Sequence, residues 1–591
     1  MIAITMTDGQ SVAVQKITTY PRWAAFIAGA ASATGFAPLN LWPVTLVCFA
    51  LFIHLVAQAD SGKRAALIGW LFGVGHFTIG NNWIAVAFTF QAAMPAWLGW
   101  IAVVALALYL AVYPAVCAWG AWWIGRLVAK PLPLRGGVGV GAVSQPPRLD
   151  DSHHPSAASR LRPSPEGEGL KVPIILAFAG CWIVTEWLRS WVFTGYVWNP
   201  LAVVTTDGGW LSKPGAYVGT YGQSGLIILA IGFAMLFARH VLHELGKKPL
   251  TFKRVVFVIA FFVLPEIIVI VALPYLIGPS VPKTQNVTIT IAQPNRPQNE
   301  KDLPGYEEIN FAKLATNSYP LPGQGPRLIL WSEDALPYYL EDGYPFRFYH
   351  FQPGGSAPGA RNRLTTLMGE GDILLLGSNR LVIDQDGQMA AARNSMTAMD
   401  ARGRVLGNYD KAHLVPYGEY LPLKWLLTPL GLSRLVPGDV DFLPGPGPQT
   451  MMLKLDGRPV KVGLQICYEI IFSGQVVDRT NRPDFLFNPS NDSWFGTVGP
   501  PQFLAQARLR AIEEGLPVLR ATPTGISAVI DANGQIVASI GMGKTGRIDT
   551  QLPAAKAPTL FALYGNILPV GFALLLIAVA LLPLARSRTS R

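Results

Sequence analysis

Charge is scarce in this sequence. Only 14% of its 591 residues are Asp, Glu, Lys or Arg, against 51% hydrophobic ones, whereas soluble proteins carry about 25% charged residues. That deficit argues against an ordinary soluble protein and for a chain that resides in lipid. Cysteine is scarce too. Cys48, Cys117 and Cys181 lie inside apolar segments, so no disulfide framework is implied. Cys467 is the only cysteine of the more polar part and stays a free thiol even in an oxidising compartment. No small-x-small cleavage site follows the first apolar stretch, which therefore reads as an uncleaved anchor and not a signal peptide. Metal-ligand spacings, phosphate-binding glycine loops and nucleic-acid motifs are missing, so neither cofactor nor metal is expected. The net charge of +11 clusters beside apolar segments, which fits a membrane better than a nucleic acid.

Long apolar runs are what the chain has instead. Eight occur, near 23–36, 41–59, 65–88, 96–125, 172–195, 222–242, 254–278 and 560–585, each near the roughly 20 residues that cross a bilayer. The run 96–125 is long and expected to break at Pro114. Every second loop is basic. Lys63 and Arg64 occupy one, a series from Arg126 to Lys171 the next, and Arg239 to Arg254 the third; Arg586, Arg588 and Arg591 follow the last run. The alternate loops 37–40 and 89–95 have no Lys or Arg, and 196–221 has only Lys213. This is the positive-inside pattern. Eight spans then leave both termini in the cytoplasm and residues 279–559 on the outer side. The expected parts are a membrane domain over 1–278, an outer domain over 279–559, and an eighth span with a cytoplasmic tail over 560–591. Residues 1–20 are polar and expected to fray. Residues 131–170, rich in Pro, Gly, Ser and Arg without periodicity, are expected to be a disordered cytoplasmic insertion.

Residues 279–559 change character. Short β-like runs occur at Val287–Ala292, Arg327–Trp331, Asp372–Gly377, Val460–Ile466, Asp484–Asn488, Val518–Ala521 and Ser527–Ile530. Helical stretches such as Gln502–Glu514 intervene, and Asp384-Gln-Asp-Gly387 and Asp531-Ala-Asn-Gly534 are hairpin signals. The domain is α/β. Three segments each place one reactive group where a strand meets a loop. The run Val462 to Ile466 ends at Cys467, with Tyr468 and Glu469 next; Leu328 to Trp331 leads to Glu333; Asn408-Tyr-Asp leads to Lys411. A carboxylate can take the proton of a thiol, a lysine can stabilise both thiolate and oxyanion, and the thiolate is a nucleophile. Singly, each is more simply a small core residue, a solvated strand end or a surface lysine. Together they point to covalent catalysis.

In that order and context, Glu333, Lys411 and Cys467 resemble the Glu-Lys-Cys triad of the nitrilase superfamily. Trp331-Ser-Glu-Asp-Ala-Leu-Pro337, Tyr409-Asp-Lys-Ala-His-Leu-Val-Pro-Tyr-Gly-Glu-Tyr-Leu-Pro422, Ile466-Cys-Tyr-Glu469, Ser490-Asn-Asp-Ser-Trp-Phe-Gly496 and Arg510 to Thr522 look like bacterial apolipoprotein N-acyltransferases. So do Glu186-Trp-Leu-Arg189 and Thr194-Gly-Tyr-Val-Trp198. The resemblance implies a polytopic α-helical membrane domain of eight spans joined to a nitrilase-like αββα sandwich on the periplasmic side of the bacterial inner membrane. It implies that a phospholipid acyl chain passes to Cys467 as a thioester and then to the α-amine of an apolipoprotein's N-terminal diacylglyceryl-cysteine. Glu333 would be general base and acid, and Lys411 would support the oxyanion. Glu419 and Glu469 would orient Lys411 and shape the pocket. Pro294 and Asp302 stand where the family often has Gly and Trp, and Pro523 where it commonly has Asn; none of the three touches the triad.

Other features take plainer readings. His413 is expected to be structural and not a partner of the thiol. Asn491-Asp492 either shapes the site or forms a turn, and the turn is the simpler reading; Glu186 and Arg189 are expected to pair at the membrane interface, and Trp97, Trp100, Trp191 and Trp198 to be interfacial anchors. Two other functions compete. A membrane-tethered nitrilase-type amidase would use the same triad. A transporter with an outer binding domain is disfavoured by the few ionisable residues inside the spans.

Overall fold

The described apolar runs fold as helices, since a backbone without water must satisfy its own hydrogen bonds. The computed structural model describes residues 20–90, 94–129, 170–245, 284–301, 303–431, 433–435 and 440–589. The run 254–278, the polar residues before Tyr20 and, Leu170 apart, the insertion at 131–170 lie outside the described residues. The helices are α1 (Pro21–Ser32), α2 (Trp42–Ala57), α3 (Gly62–Gly80), α4 (Leu98–Leu110), α5 (Val112–Ala129), α6 (Val172–Arg189) and α7 (Gly215–Leu245). Prolines open α1, α2 and α6, where the missing N–H has no helical partner to lose. Small residues let helices touch backbone to backbone: a Cβ on Gly29 of α1 would lie 1.9 Å from the carbonyl oxygen of Phe72 on α3.

Three stretches, Leu98–Val128, Val172–Arg189 and Gly215–Val241, are long and apolar enough to cross a membrane; Trp42–Ala57 and Ile567–Pro583 are shorter apolar helices. The expected break at Pro114 falls instead at Ala111, between α4 and α5. Pro114 is in the first turn of α5, where its ring breaks no helical hydrogen bond.

Two six-stranded sheets follow. The first runs β12-β1-β2-β3-β4-β5 and the second β11-β10-β9-β8-β7-β6. Their strands are β1 (Thr284–Gln293), β2 (Arg327–Leu330), β3 (Ile373–Ile383), β4 (Met389–Asp400), β5 (Val405–Asp410), β6 (Thr450–Leu455), β7 (Arg458–Leu464), β8 (Phe485–Pro489), β9 (Val518–Ala521), β10 (Ser527–Ile530), β11 (Ile536–Ile540) and β12 (Gly546–Pro553). β1, β2 and β3 are parallel, as are β7, β8 and β9. Both hairpin signals are turns: Asp384–Gly387 joins β3 to β4, and Asp531–Gly534 joins β10 to β11.

Alternation along the strands sorts the side chains into layers. Ile289, Ile291, Leu328, Leu330, Ile373 and Leu375 share a core with Val462, Leu464, Phe485 and Phe487 of the second sheet. Ile329, Leu374 and Leu376 point the other way, onto Leu314 of α8 (Tyr306–Thr316) and Leu364 of α9 (Ala357–Thr365). The layer beyond the second sheet holds α10 (Gly499–Glu514), and there the sandwich meets the helical part. Trp198 packs on Phe503 of α10 at 5.2 Å between ring centroids, and Trp83 on Phe495 at 4.8 Å. One continuous core therefore includes Phe49 and Phe178 of the helices and Ile289 of the far sheet. The chain re-enters the helical part through α11 (Ile567–Thr589).

α10 also carries buried charge to this junction. Glu513 Oε1 accepts the Thr220 N–H and hydroxyl, both at 2.6 Å, and the Ser473 hydroxyl at 2.7 Å. Glu514 is nearly inaccessible and its Oε2 has no hydrogen-bond partner. Burial, with Glu513 adding to it, pushes the Glu514 carboxyl up to about 7. A folded-state value above the unfolded one means stability held below about pH 4.5 and lost as pH rises through 7. Glu514→Gln removes this dependence. The melting temperature of the variant is expected to gain on that of the native protein between pH 4.5 and 7, by the equivalent of about 3 kcal/mol, and to run parallel above. A constant difference across that window would refute the assignment.

Candidate active site

Glu333 lies three residues past the end of β2. The loop carrying it presses on β3 at Gly377, where a Cβ would come within 2.3 Å of the Asp334 nitrogen; only glycine leaves room for that approach. Asp334 takes a left-handed φ of 50° and is held by Lys301 and by Arg296, whose Nη2 donates to its carbonyl at 2.7 Å. Glu333 thereby points inward and is buried. Its Oε2 accepts the Asn491 N–H at 2.7 Å, and its Oε1 accepts Asn394 Nδ2 at 2.7 Å and Lys411 Nζ at 3.4 Å.

Lys411 immediately follows β5. Its N–H donates to the Asn394 carbonyl and its carbonyl accepts the Gly445 N–H, each at 2.8 Å. The ammonium is 1% exposed, between Glu333 and Glu419, whose Oε1 lies 3.0 Å away. Burial opposes its charge, but Glu419 and then Glu333 outweigh burial and hold it above the ordinary lysine range. Glu419 also accepts the Val415 N–H at 2.8 Å, closing the loop after Lys411 on itself. Asn394 Nδ2 bridges both carboxylates, reaching Glu419 Oε1 at 2.9 Å.

Cys467 comes three residues after β7 and opens a short 3-10 turn, Cys467–Ile471. Its φ of 50° is a left-handed conformation that costs a non-glycine residue on the order of 1 kcal/mol or more. The turn is held by Asn488 Nδ2, which donates to the Gln465 and Cys467 carbonyls at 2.6 and 3.2 Å. Burial pushes the thiol well above its usual range and Glu333 pushes it further; Lys411 and the Ser490 hydroxyl pull the other way. The sulfur therefore rests protonated, in the field of both Glu333 and Lys411.

Glu469 joins the Lys411 loop to the Cys467 turn. Its Oε1 accepts the Tyr409 hydroxyl and the N–H groups of Ala412 and His413, and its Oε2 accepts the Ile466 N–H at 2.6 Å. Burial raises its carboxyl to about 7 against these donors. It makes no ion pair with Lys411 among the described residues, so it fixes backbone and does not touch the ammonium. His413 also holds structure: its Nε2–H donates to the Thr194 carbonyl at 2.6 Å and its ring stacks on Phe472 at 3.9 Å. With the Tyr468 hydroxyl on the Gly195 carbonyl at 3.1 Å, it seats the site on the loop after α6.

Three expectations need correction. Trp198, expected as an interfacial anchor, is buried against Phe503, and its Nε1–H donates to Gln502 Oε1 at 2.6 Å. Asn491-Asp492 is more than a turn. Asn491 Oδ1 does accept the Ser493 N–H, but its own N–H holds Glu333, and Asp492 lies fully buried beneath Cys467 on Arg520, at 2.5 Å. Glu186 and Arg189 do not form an ion pair within 4 Å. Glu186 Oε1 accepts the Leu201 N–H at 2.8 Å, and Arg189 lies over Phe77 at 5.0 Å. Both are buried where the loop after α6 folds back, and each satisfies that loop or an aromatic face before the other. Asn394, Asn488, Ser490 and Arg520 are site residues that sequence reasoning missed. Of the departures from the family pattern, Pro523 accepts the Arg296 N–H through its carbonyl, and Asp302 lies outside the described residues.

This arrangement can deprotonate a thiol, stabilise an oxyanion and return a proton. The profile of the apolipoprotein N-acyltransferase N-terminal domain matches residues 28–233, the helical part, and that of the carbon-nitrogen hydrolases matches 307–557, the sandwich. An apolipoprotein N-acyltransferase of Rhodopseudomonas palustris is 32% identical over 578 residues, 95% of this chain and 95% of its own. The chain belongs to the apolipoprotein N-acyltransferase family. Members from Bradyrhizobium diazoefficiens, 30% identical over 100% of this chain and 97% of theirs, and Caulobacter vibrioides, 31% identical over 92% and 91%, align as fully.

Proposed function

We propose that this chain transfers an acyl chain from a membrane phospholipid, through a thioester on Cys467, to the α-amine of the N-terminal diacylglyceryl-cysteine of apolipoproteins. Glu333, Lys411 and Cys467 are the catalytic residues, with Glu419 orienting Lys411 and Glu469 shaping the pocket. One observation carries the reading: three loops from both sheets converge a buried carboxylate, a buried ammonium and a buried thiol, on a face seated against the lipid-type helices.

The thiol proton passes to Glu333 as sulfur attacks the ester carbonyl of the donor. The oxyanion that forms meets Lys411 Nζ. The tetrahedral species collapses, the ester C–O bond breaks, and the departing alkoxide takes the proton from Glu333 to leave as lysophospholipid. The acceptor amine then attacks the thioester and gives its proton to Glu333. The C–S bond breaks, and the thiolate recovers that proton. Two moderate barriers replace one high one. The raised thiol explains why a base is needed, and the raised lysine why the charge facing the oxyanion persists across the working pH range.

The molecule is a multi-pass enzyme of the bacterial inner membrane, with eight spans, both termini cytoplasmic, a membrane domain over 1–278, a periplasmic domain over 279–559 and the last span and tail over 560–591. Three apolar helices of spanning length and the basic loops between apolar runs support this arrangement. Purified protein supplied with phospholipid and a diacylated lipopeptide is expected to give N-acyl lipopeptide and lysophospholipid in equal amounts. Free fatty acid in place of N-acyl product would instead support the amidase reading.

A further inference from the structure

The Ser490 hydroxyl has one proton and two acceptors. Ser490 follows β8, anchored by its N–H on the Ala521 carbonyl at 2.9 Å, and is fully buried. Its Oγ is 2.7 Å from Asp492 Oδ1 and 3.4 Å from Cys467 Sγ. It can donate to only one of them at a time. Asp492 does not depend on that proton, because Arg520 Nη2 donates to the same Oδ1 at 2.5 Å. Arg520 is itself fixed, with Nη1 on Asn488 Oδ1 and its guanidinium 4.3 Å above the Phe503 ring. Asn488 in turn holds the Cys467 carbonyl. One buried arginine thus supports the nucleophile along two routes, by Asn488 to its backbone and by Asp492 and Ser490 to its sulfur.

A neutral thiol is a weak acceptor and a carboxylate a strong one, so with Cys467 protonated the hydroxyl belongs to Asp492. A thiolate reverses that balance, since its full charge is buried away from water and Asp492 is already compensated by Arg520. We propose that Ser490 is a positioning residue that re-aims its single proton from Asp492 to the Cys467 sulfur as the thiol is deprotonated. The thiol proton goes to Glu333; Ser490 keeps its own and changes only its direction. The device lowers the barrier to forming the thiolate without leaving a donor that competes for the resting thiol. It rests on Cys467 being the nucleophile.

The test is the rate at which iodoacetamide alkylates Cys467 in the detergent-purified full chain, followed by peptide mass from pH 6 to 10. Ser490→Ala is expected to slow alkylation about tenfold at any pH below the thiol's titration, an upward shift of about one unit in its pH profile. Ser490→Thr, which keeps the hydroxyl, is expected to recover the native rate within about threefold. A Ser490→Ala protein that alkylates at the native rate overturns the inference, and so does a slow Ser490→Thr protein of native melting temperature. Should the threonine not fit, Asp492→Asn decides. Its acceleration of alkylation is expected to be larger with Ser490 present than in the Ser490→Ala background; equal acceleration in both overturns the toggle. Alkylation is read without acyl transfer, so the two proposals fail separately. A chain that transfers no acyl group yet shows the Ser490 effect loses the function and keeps the toggle.

Discussion

Cys467→Ala is expected to abolish N-acyl transfer, with a loss on the order of 10⁵-fold in kcat, while leaving the melting temperature within a few degrees of the native value. The thiol is small and buried, and alanine faces the same left-handed φ that cysteine already tolerates, so nothing else in the turn needs to move. The Asn488 bonds to the carbonyls of residues 465 and 467 do not involve the side chain. The check is intact mass after incubation with phospholipid. Native protein is expected to gain one acyl group that hydroxylamine removes, and the variant none. Acyl transfer persisting in the variant would reject the thioester route, and an adduct on both proteins would place the acyl group elsewhere.

Lys411→Met is expected to damage activity and fold together. In the native site the ammonium separates two carboxylates that Asn394 otherwise bridges alone. Removing one partner of a buried charge cluster costs about 3–5 kcal/mol, and losing an oxyanion donor costs about 10²–10³-fold in rate. A variant with native stability and a rate within tenfold of native would show that Lys411 faces neither the carboxylates nor the reacting oxygen in the working enzyme.

The sequence made the core strands visible where they are mostly apolar. Val518–Ala521 and Ser527–Ile530 match observed strands end for end, because both faces of those strands are buried and every side chain is chosen for it. Met389–Asp400 and Gly546–Pro553 escaped notice: they are antiparallel strands mixing polar and apolar residues, and Gly546–Pro553 pairs with a strand more than 250 residues earlier. The candidate site was legible for a related reason. Glu333, Lys411 and Cys467 each interrupt an apolar or extended run at its end, where a reactive group is conspicuous. Asn394 lies inside β4 and Arg520 inside β9, and in one dimension an internal polar residue is indistinguishable from a solvent-facing one. Asp492 was seen but underestimated, because its partner lies 28 residues on and turns are the commoner use of an Asn-Asp pair. Glu186 and Arg189 show the reverse error: proximity along a helix suggested a bond, while in the folded chain Glu186 accepts the Leu201 N–H and Arg189 lies over Phe77.

The shared core has a mechanical meaning. In this molecule the second sheet does not end at a solvated helix layer; Trp198, Trp83 and Phe503 carry the packing straight on into the helical part. A cut between the sandwich and the described helices would leave Trp198, Trp83 and Phe503 open to water. Heat meets the same continuity. A cavity made at Phe49, among the helices, loosens a body that also contains the strand ends beneath Cys467, so damage far from the chemistry registers as instability of the whole.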